Sequence, residues 1–552
     1  MKPWVLKNSA IQAVFDGETG ALSSLVCARS GWVIQEREEL ALSFRMLAPL
    51  PDRRNNPILG EKQTLTDVRL DPENQRLTLQ WTHLISEHGG VLDITFTGIV
   101  TLTDEGLTFE AEVLNNSPYP IESISWPCIG EITVPCGVER LGRRDFGCPS
   151  MQPLYPKFMS ERGYFGIDYP IQMAATPSAP FVLVDGETQG LYAGYHASTA
   201  EHLVQFTFEL IPGFEYAESH NFGTVPKSKI MAGQAARIAF YCTHLPFFNA
   251  GESGRLHPIV LHPYVGSWHK GAELFRKWRK SVFTVPHTPD WAGKVHSWQQ
   301  IHINSPEDEL RCPYKELIKY GEDCRKHGVA AIQLTGWTIG GQDRGNPSHD
   351  TDPRLGSWED LREAIAAIHE MGVQVILFTK YTWADRAEER FRTELKQYAV
   401  KDPHGDYHVY PGYSYQTPTQ LSGINTRRLI PMCMNAAKWR ERANSEFVKA
   451  LDLGAAGMLY DECQHHGGAH YCFDPDHGHH VPAHVFSGDA DLLRGFHEIA
   501  DRRDPDFLFA GEALYDIESQ FYPVSYTRIG LDHVPIHRYI NPDTGMMIAV
   551  TG

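Results

Sequence analysis

Long apolar runs are missing from this chain. Nothing in its 552 residues approaches the ~20 consecutive apolar residues that span a bilayer, so no membrane-crossing helix is expected. The opening stretch, MKPWVLKNSAIQAVFDGETG, lacks the apolar h-region of a secretory signal, and the expected location is therefore cytoplasmic. Positive charge is in short supply as well. Lysine and arginine total 50 against 68 acidic residues, a net charge of -18, which disfavours nucleic acid or an anionic membrane surface as a partner. The ten cysteines are scattered in apolar or loop contexts (Cys27, Cys128, Cys242 and Cys433 among them), with none of the spacing of a disulfide scaffold. Reduced thiols are the expectation. There is no GxxxxGK[ST] phosphate loop, no GxSxG elbow and no Rossmann fingerprint, so neither ATP nor NAD is expected and no cofactor is assigned.

What is present divides into two patterns. Residues 1 to about 265 read as β: AIQAVFD, LTLQWTHL, VLDITFTGIVTL, LTFEAEVL and FVLV recur between turn signals such as DGETG, EHGG, TDEG and DGETQG. This spacing predicts a large antiparallel sandwich. At Ser267 the period changes. SWHKGAELFRKWRKSVF places Trp268, Ala272, Phe275, Trp278 and Phe283 at helical spacing, and the proline-rich TVPHTPDWAG follows, so 266–290 is read as a helical linker.

From 291 to 552 strands and helices alternate, which predicts a parallel sheet covered by helices and, at this length, a (β/α)8 barrel. The expected strands are VHSWQQIHI, AAIQLTGW, VQVILFT, GMLYD and FLFAGE. The helix PYKELIKYGEDCRKHG should start at Pro313 and stop at Gly328, and SWEDLREAIAAIHEMG should open on a capping box of Ser357 and Asp360. A polar, aromatic excursion from about 384 to 430 interrupts the repeat. Five strands are legible with two more beyond Glu512, so the barrel is expected to be truncated.

Two carboxylates close apolar strands: Asp461 in AAGMLYDEC and Glu512 in FLFAGEALY. The C-terminal ends of barrel strands form the active-site face, so carboxylates at two successive ends point to acid/base or nucleophilic work on a glycosidic bond. The bland alternative is a carboxylate capping the next helix. Glu462 competes with Asp461, because neighbouring strand residues point opposite ways. Around the pair, Trp337 is a candidate sugar-stacking face, with Asp343 and Arg344 beside it to bracket hydroxyls. Lys380 and Tyr381 end the third strand, where the lysine either faces substrate or pairs with a buried carboxylate. Arg528, Asp532 and His533 lie after the fifth strand. The loop CQHHGGAHYCFDPDHGHHVPAH is dense in zinc-type ligands, yet its spacings match neither a structural finger nor HExxH. Its imidazoles, His466 and His479 in particular, are therefore assigned to sugar hydroxyls rather than to a metal.

These motifs resemble known glycosidases. LYDEC is similar to the strand-four nucleophile region of α-galactosidase-type barrels, where an aspartate follows an aromatic residue. A strand-four Asp followed by a strand-five Glu looks like the α-amylase superfamily and the endo-α-N-acetylgalactosaminidases. An N-terminal β-supersandwich joined to a barrel by the SWHKGAELFRKW helix also looks like the latter group. A largely uncharacterised glycosidase-like family shares WTIGGQDRGNP, DPRLGSWEDLREAI and CFDPDHGHH as they stand here. The resemblance implies Asp461 as nucleophile and Glu512 as acid/base of a retaining hydrolase acting on an α-linked sugar. No RxD signature precedes Asp461, so amylase specificity is not carried over. Two other classes compete: a metal-dependent hydrolase built on the loop 463–484, and a non-catalytic carbohydrate-binding barrel.

Overall fold

The computed structural model describes residues 2–73, 75–104, 106–145, 151–155, 171–175, 180–199, 201–211, 216–219, 223–226, 237–294, 297–305, 309–342, 347–409, 429–463, 470–512, 518–526 and 536–547. The chain forms two compact units. One comprises Met1–Ser198, His202–Phe283 and Gly530–Asn541; the other comprises Thr199–Glu201, Thr284–Ile529 and Pro542–Gly552.

The first unit is built on antiparallel sheets of nine and six strands, with a four-stranded meander formed by Trp4–Lys7, Ile11–Phe15, Leu22–Cys27 and Trp32–Gln35. Every β segment expected from the sequence is a strand here. The strand Arg76–Ser86 shows the physical logic. Leu77, Leu79 and Trp81 point into the core at a period of two, after which the phase changes and Leu84 is buried. His83, in the left-handed region at φ 54°, sits in a bulge between Thr82 and Leu84; the extra residue returns Leu84 to the inner face. Trp126, from the six-stranded sheet, fixes the opposing layer. Its indole N–H donates to the Glu110 carbonyl of the nine-stranded sheet, and its ring meets Phe96 and Phe109 edge-on. Gly98 makes room for that ring, since a Cβ there would lie 2.7 Å from Trp126 Cζ2.

Helix α1 (Trp268–Val282) occupies much of the expected linker. It buries Phe275 against Phe181, Leu183, Tyr192, Val260 and Tyr264 of the nine-stranded sheet, and Ile536 and Ile540 return late in the chain to the same cluster. The units accordingly divide after Phe283 rather than at 265, with 530–541 on the antiparallel side. Apolar surface explains both assignments, because an amphipathic helix goes with the sheet that covers its stripe.

The second unit holds seven parallel strands in sequential order: β1 (Trp298–His302), β2 (Ala331–Thr335), β3 (Gln374–Thr379), β4 (Gly457–Tyr460), β5 (Leu508–Glu512), β6 (Val524–Tyr526) and β7 (Gly545–Met547). They make a curled, half-barrel sheet. Its main helices are α2 (Leu317–His327), α3 (Trp358–Glu370), α4 (Ala437–Asp452) and α5 (Asp489–Arg503). Helix α2 follows a 3-10 turn after Pro313 and stops at Gly328 with φ 72°. Helix α3 carries the expected capping box: Ser357 Oγ accepts from the Asp360 amide at 3.1 Å, and Asp360 Oδ2 accepts from the Ser357 amide at 2.9 Å.

The inner strands β2, β4 and β5 are buried on both faces, and the two faces differ. Ile332, Leu334, Val375, Leu377, Met458 and Phe509 join the helices through Leu361, Ile365 and Phe447, whereas Ala331, Ile376, Leu459, Leu508, Ala510 and Val524 form a separate, smaller cluster. Burying a Val, Leu, Ile or Phe side chain is worth about 1.5–3 kcal/mol. The phase of each strand is therefore set by its apolar residues, and its polar residues follow. No helix among the described residues is long and apolar enough to cross a membrane. All nine described cysteines are free thiols.

Candidate active site

Asp461 and Glu512 each stand one residue beyond the paired Tyr460 and Gly511 of β4 and β5. By period-two alternation they follow Leu459 and Ala510 onto the smaller-cluster face. Lys380 follows Phe378 of β3 onto that face by the same rule, and Phe378 packs against that cluster. Three adjacent strands thus deliver a cation and two carboxylates to one level at their C-terminal ends.

The contacts bear out this convergence. Lys380 Nζ lies 2.7 Å from Asp461 Oδ2 and 2.7 Å from Glu462 Oε2, with only 2% of the lysine side chain exposed. Glu512 is buried, and its Oε2 accepts the Glu462 amide proton at 3.1 Å. Four ionisable side chains from β3, β4 and β5 or their ends form one cluster, and Lys380 pairs with the Asp461 and Glu462 carboxylates.

Glu462 corrects the period-two expectation. Strand β4 ends at Tyr460, and Glu462 has φ 54°, a left-handed conformation uncommon for a residue with a side chain. That turn brings the Glu462 carboxylate back to the lysine it shares with Asp461, rather than to the opposite face. Three hydrogen bonds hold the turn: the Asp461 amide donates to the Thr379 carbonyl at 2.9 Å, Thr382 Oγ1 donates to the Glu462 carbonyl at 2.7 Å, and the Glu462 amide donates to Glu512. A non-glycine residue in such a conformation costs of order 1–3 kcal/mol and persists only where its surroundings hold it.

Trp337 is a correction too. It is fully buried, its indole N–H donates to the Phe378 carbonyl at 2.8 Å, and its own carbonyl accepts from Tyr314 at 2.6 Å. The ring is core, with no face open for a sugar. Lys380 takes the ion-pairing role of the two considered for it. His479 lies among Cys433, Cys472 and His477 rather than beside the carboxylates. Asp343, Arg344, His466, Arg528, Asp532 and His533 lie outside the described residues.

His349 is a contributor that sequence reading missed. Its Nε2 accepts the Lys380 amide at 3.4 Å, its backbone amide donates to Glu446 at 2.9 Å, and its ring lies 4.8 Å from Tyr381. Burial pushes its pKa down to about 4, so the imidazole is neutral at pH 7 and can accept that proton. Nothing in PSHD marks this histidine, because its partners come from β3 and α4.

Comparison with known proteins places this architecture. A family model described only as a domain of unknown function (DUF6259) matches residues 257–515. No curated protein matches the sequence. Among solved structures, the α-N-acetylgalactosaminidase NagBb from Bifidobacterium bifidum, in complex with GalNAc, is similar with a TM-score of 0.67 at 12% identity, over 99% of this chain and 84% of that one. The same enzyme in its Gal-NHAc-DNJ complex gives 0.67 at 12% identity, over 99% and 83%. The GH36 α-galactosidase AgaA from Geobacillus stearothermophilus gives 0.55 at 12% identity, over 100% and 79%. At such identities the likeness is one of fold alone, and it extends over nearly the whole chain.

Proposed function

We propose that this protein is a retaining glycoside hydrolase whose second unit is a (β/α)8-type catalytic domain, with Asp461 as nucleophile and Glu512 as general acid/base. The observation that carries the reading is the convergence of Lys380, Asp461, Glu462 and Glu512 at the C-terminal ends of three adjacent parallel strands. In double displacement the nucleophile must be anionic when it attacks the anomeric carbon, and the Lys380 ammonium stabilises negative charge on Asp461. Glu512 protonates the departing oxygen and then removes a proton from the water that releases the sugar. Glu462, on the same lysine, helps to hold that cation in place.

The similar structures are named for α-N-acetylgalactosaminidase and α-galactosidase activity, so an α-linked galacto-configured sugar is the substrate class to test. The assay is hydrolysis of aryl α-galactosides and α-N-acetylgalactosaminides, with the product anomer read by proton NMR. Asp461→Asn and Glu512→Gln should each lower kcat by about 10²–10⁴-fold. Azide should restore turnover to Glu512→Ala on substrates with good leaving groups. An inverted product would remove the nucleophile role. Unchanged sugar binding by both variants, with no hydrolysis by the wild type, would make the protein a carbohydrate-binding module.

A further inference from the structure

We propose that Cys433, Cys472, His477 and His479 form a structural zinc site that ties the excursion after β3 to the loop after β4. Their ligand atoms all lie within 4.8 Å of one another. A tetrahedral zinc with Zn–S near 2.3 Å and Zn–N near 2.0 Å needs its ligand atoms about 3.3–3.8 Å apart. Cys472 Sγ and His477 Nδ1 are already 3.4 Å apart. Both cysteines are fully buried.

Local folding explains how residues so far apart in sequence meet. Cys433 follows the short strand Leu429–Pro431 and donates its amide to the Tyr398 carbonyl at 2.8 Å. Cys472 lies on a two-residue ladder opposite Ala483. His477 ends a 3-10 turn, and Gly478, at φ 78°, reverses the chain so that His479 returns to the same point. Spacing alone concealed the set, because one thiolate comes from another segment.

The hydrogen bonds around the histidines orient them as ligands. His477 Nε2 is 2.8 Å from the Gln397 carbonyl, and His479 Nδ1 is 2.6 Å from the His480 carbonyl. A carbonyl can only accept, so the protons belong on these outer nitrogens. The lone pairs of His477 Nδ1 and His479 Nε2 then face the cysteines, and His479 Nε2 is buried with no hydrogen-bond partner. Such outer contacts fix the tautomer of zinc-bound histidines. Asp474 Oδ2 is 3.4 Å from His477 Nε2 and 2.6 Å from Lys401 Nζ, which extends the support.

Two soft and two borderline donors select zinc over calcium or magnesium. Four protein ligands leave no position for water, so the site is structural rather than hydrolytic. Its position gives it a purpose. The Met432 amide, next to Cys433, donates to the Thr382 carbonyl at 2.8 Å, and Thr382 Oγ1 donates to the Glu462 carbonyl. The zinc would brace the segment that holds Glu462 in its left-handed turn, whatever reaction the cluster performs.

The test is metal analysis of the purified full-length chain, with cobalt substitution. One zinc per chain should survive gel filtration, and cobalt loading should produce thiolate-to-metal charge-transfer absorption. Cys433→Ser/Cys472→Ser should abolish both. His479→Ala, a milder change, should weaken zinc at least ~10-fold in competition with a chromophoric chelator. Chelation of the wild type should raise hydrogen exchange in 429–434 and 470–484. Zinc no higher in the wild type than in the double-cysteine variant, after purification with added zinc, would overturn the proposal. So would a Cys433–Cys472 disulfide seen by mass spectrometry.

Discussion

In the antiparallel unit, the interior is carried by aromatic rings: Phe44, Trp81, Phe96, Phe109 and Trp126 meet at centroid separations of 4.5–6.3 Å. Buried charges there include the pairs Arg143 with Asp145 and Arg144 with Asp185, and Arg45 lies beside Glu209 and Tyr241. The parallel-sheet unit has an equally apolar helix-facing core, but its ionisable groups converge. Lys380, Asp461, Glu462 and Glu512 share one cluster, His349 and Glu446 adjoin Lys380, and Asp489 and Glu518 lie buried together close to Tyr460 and Cys463. Desolvating several charges in one place is costly and does little for stability. Such a concentration at the ends of three adjacent strands makes this unit the place to look for chemistry.

Lys380→Met tests the contrast most severely. It leaves Asp461 and Glu462 without their shared cation, and losing one partner of a buried ion pair costs about 3–5 kcal/mol. Hydrogen exchange should rise around β3 and β4, and glycosidase activity should vanish with it. Full activity in this variant would separate the cluster from catalysis. Trp126→Ala should cost a similar ~3–5 kcal/mol, but in the other unit. Its exchange should rise in the strands holding Gly98, Phe96 and Phe109, while KM and kcat, measured below the unfolding transition, stay within about twofold. A large fall in kcat without unfolding would show that the sandwich core does more than support.

The smallest effect is a pH dependence. Burial raises the Asp489 carboxyl to about 7, with Glu518 beside it raised by burial and by the Asp489 charge. An unfolded aspartate titrates near 4. Between those values the folded state holds a proton that the unfolded state has lost, so Asp489 lowers stability as pH rises from about 4 to about 7, and Glu518, raised in the same direction, adds to the decline. Asp489→Asn should flatten that decline, which thermal melts across this range would show. An unchanged slope would mean that other groups dominate.

The elements were legible wherever the signal is local. The Ser357–Asp360 capping box, the Gly328 stop and the β4 and β5 runs each depend on a few consecutive residues and their solvent exposure, as do the β segments of the first unit. Trp337 is core rather than cleft, a difference its sequence does not carry, because an aromatic residue at a strand end looks the same in either place; its bond to the Phe378 carbonyl and its full burial decide the matter. The Glu462 turn is not legible in the sequence because period-two alternation holds only while the strand continues, and β4 stops two residues earlier. Helix α1 looks like a linker in the sequence because its amphipathic pattern shows that a stripe must be covered but not by which sheet.

The sequence by itself determined that a β-rich half precedes a βα-repeating half, and that Asp461 and Glu512 terminate apolar strands, because periodicity and caps are properties of neighbouring residues. Only the tertiary structure decided that Lys380 pairs with both Asp461 and Glu462, that Glu512 holds the Glu462 amide, and that Cys433 joins the histidine loop. The reason is physical: each of these contacts joins residues on different strands or loops, and their spacing is set by strand register and by the burial of apolar faces that carry none of the chemistry.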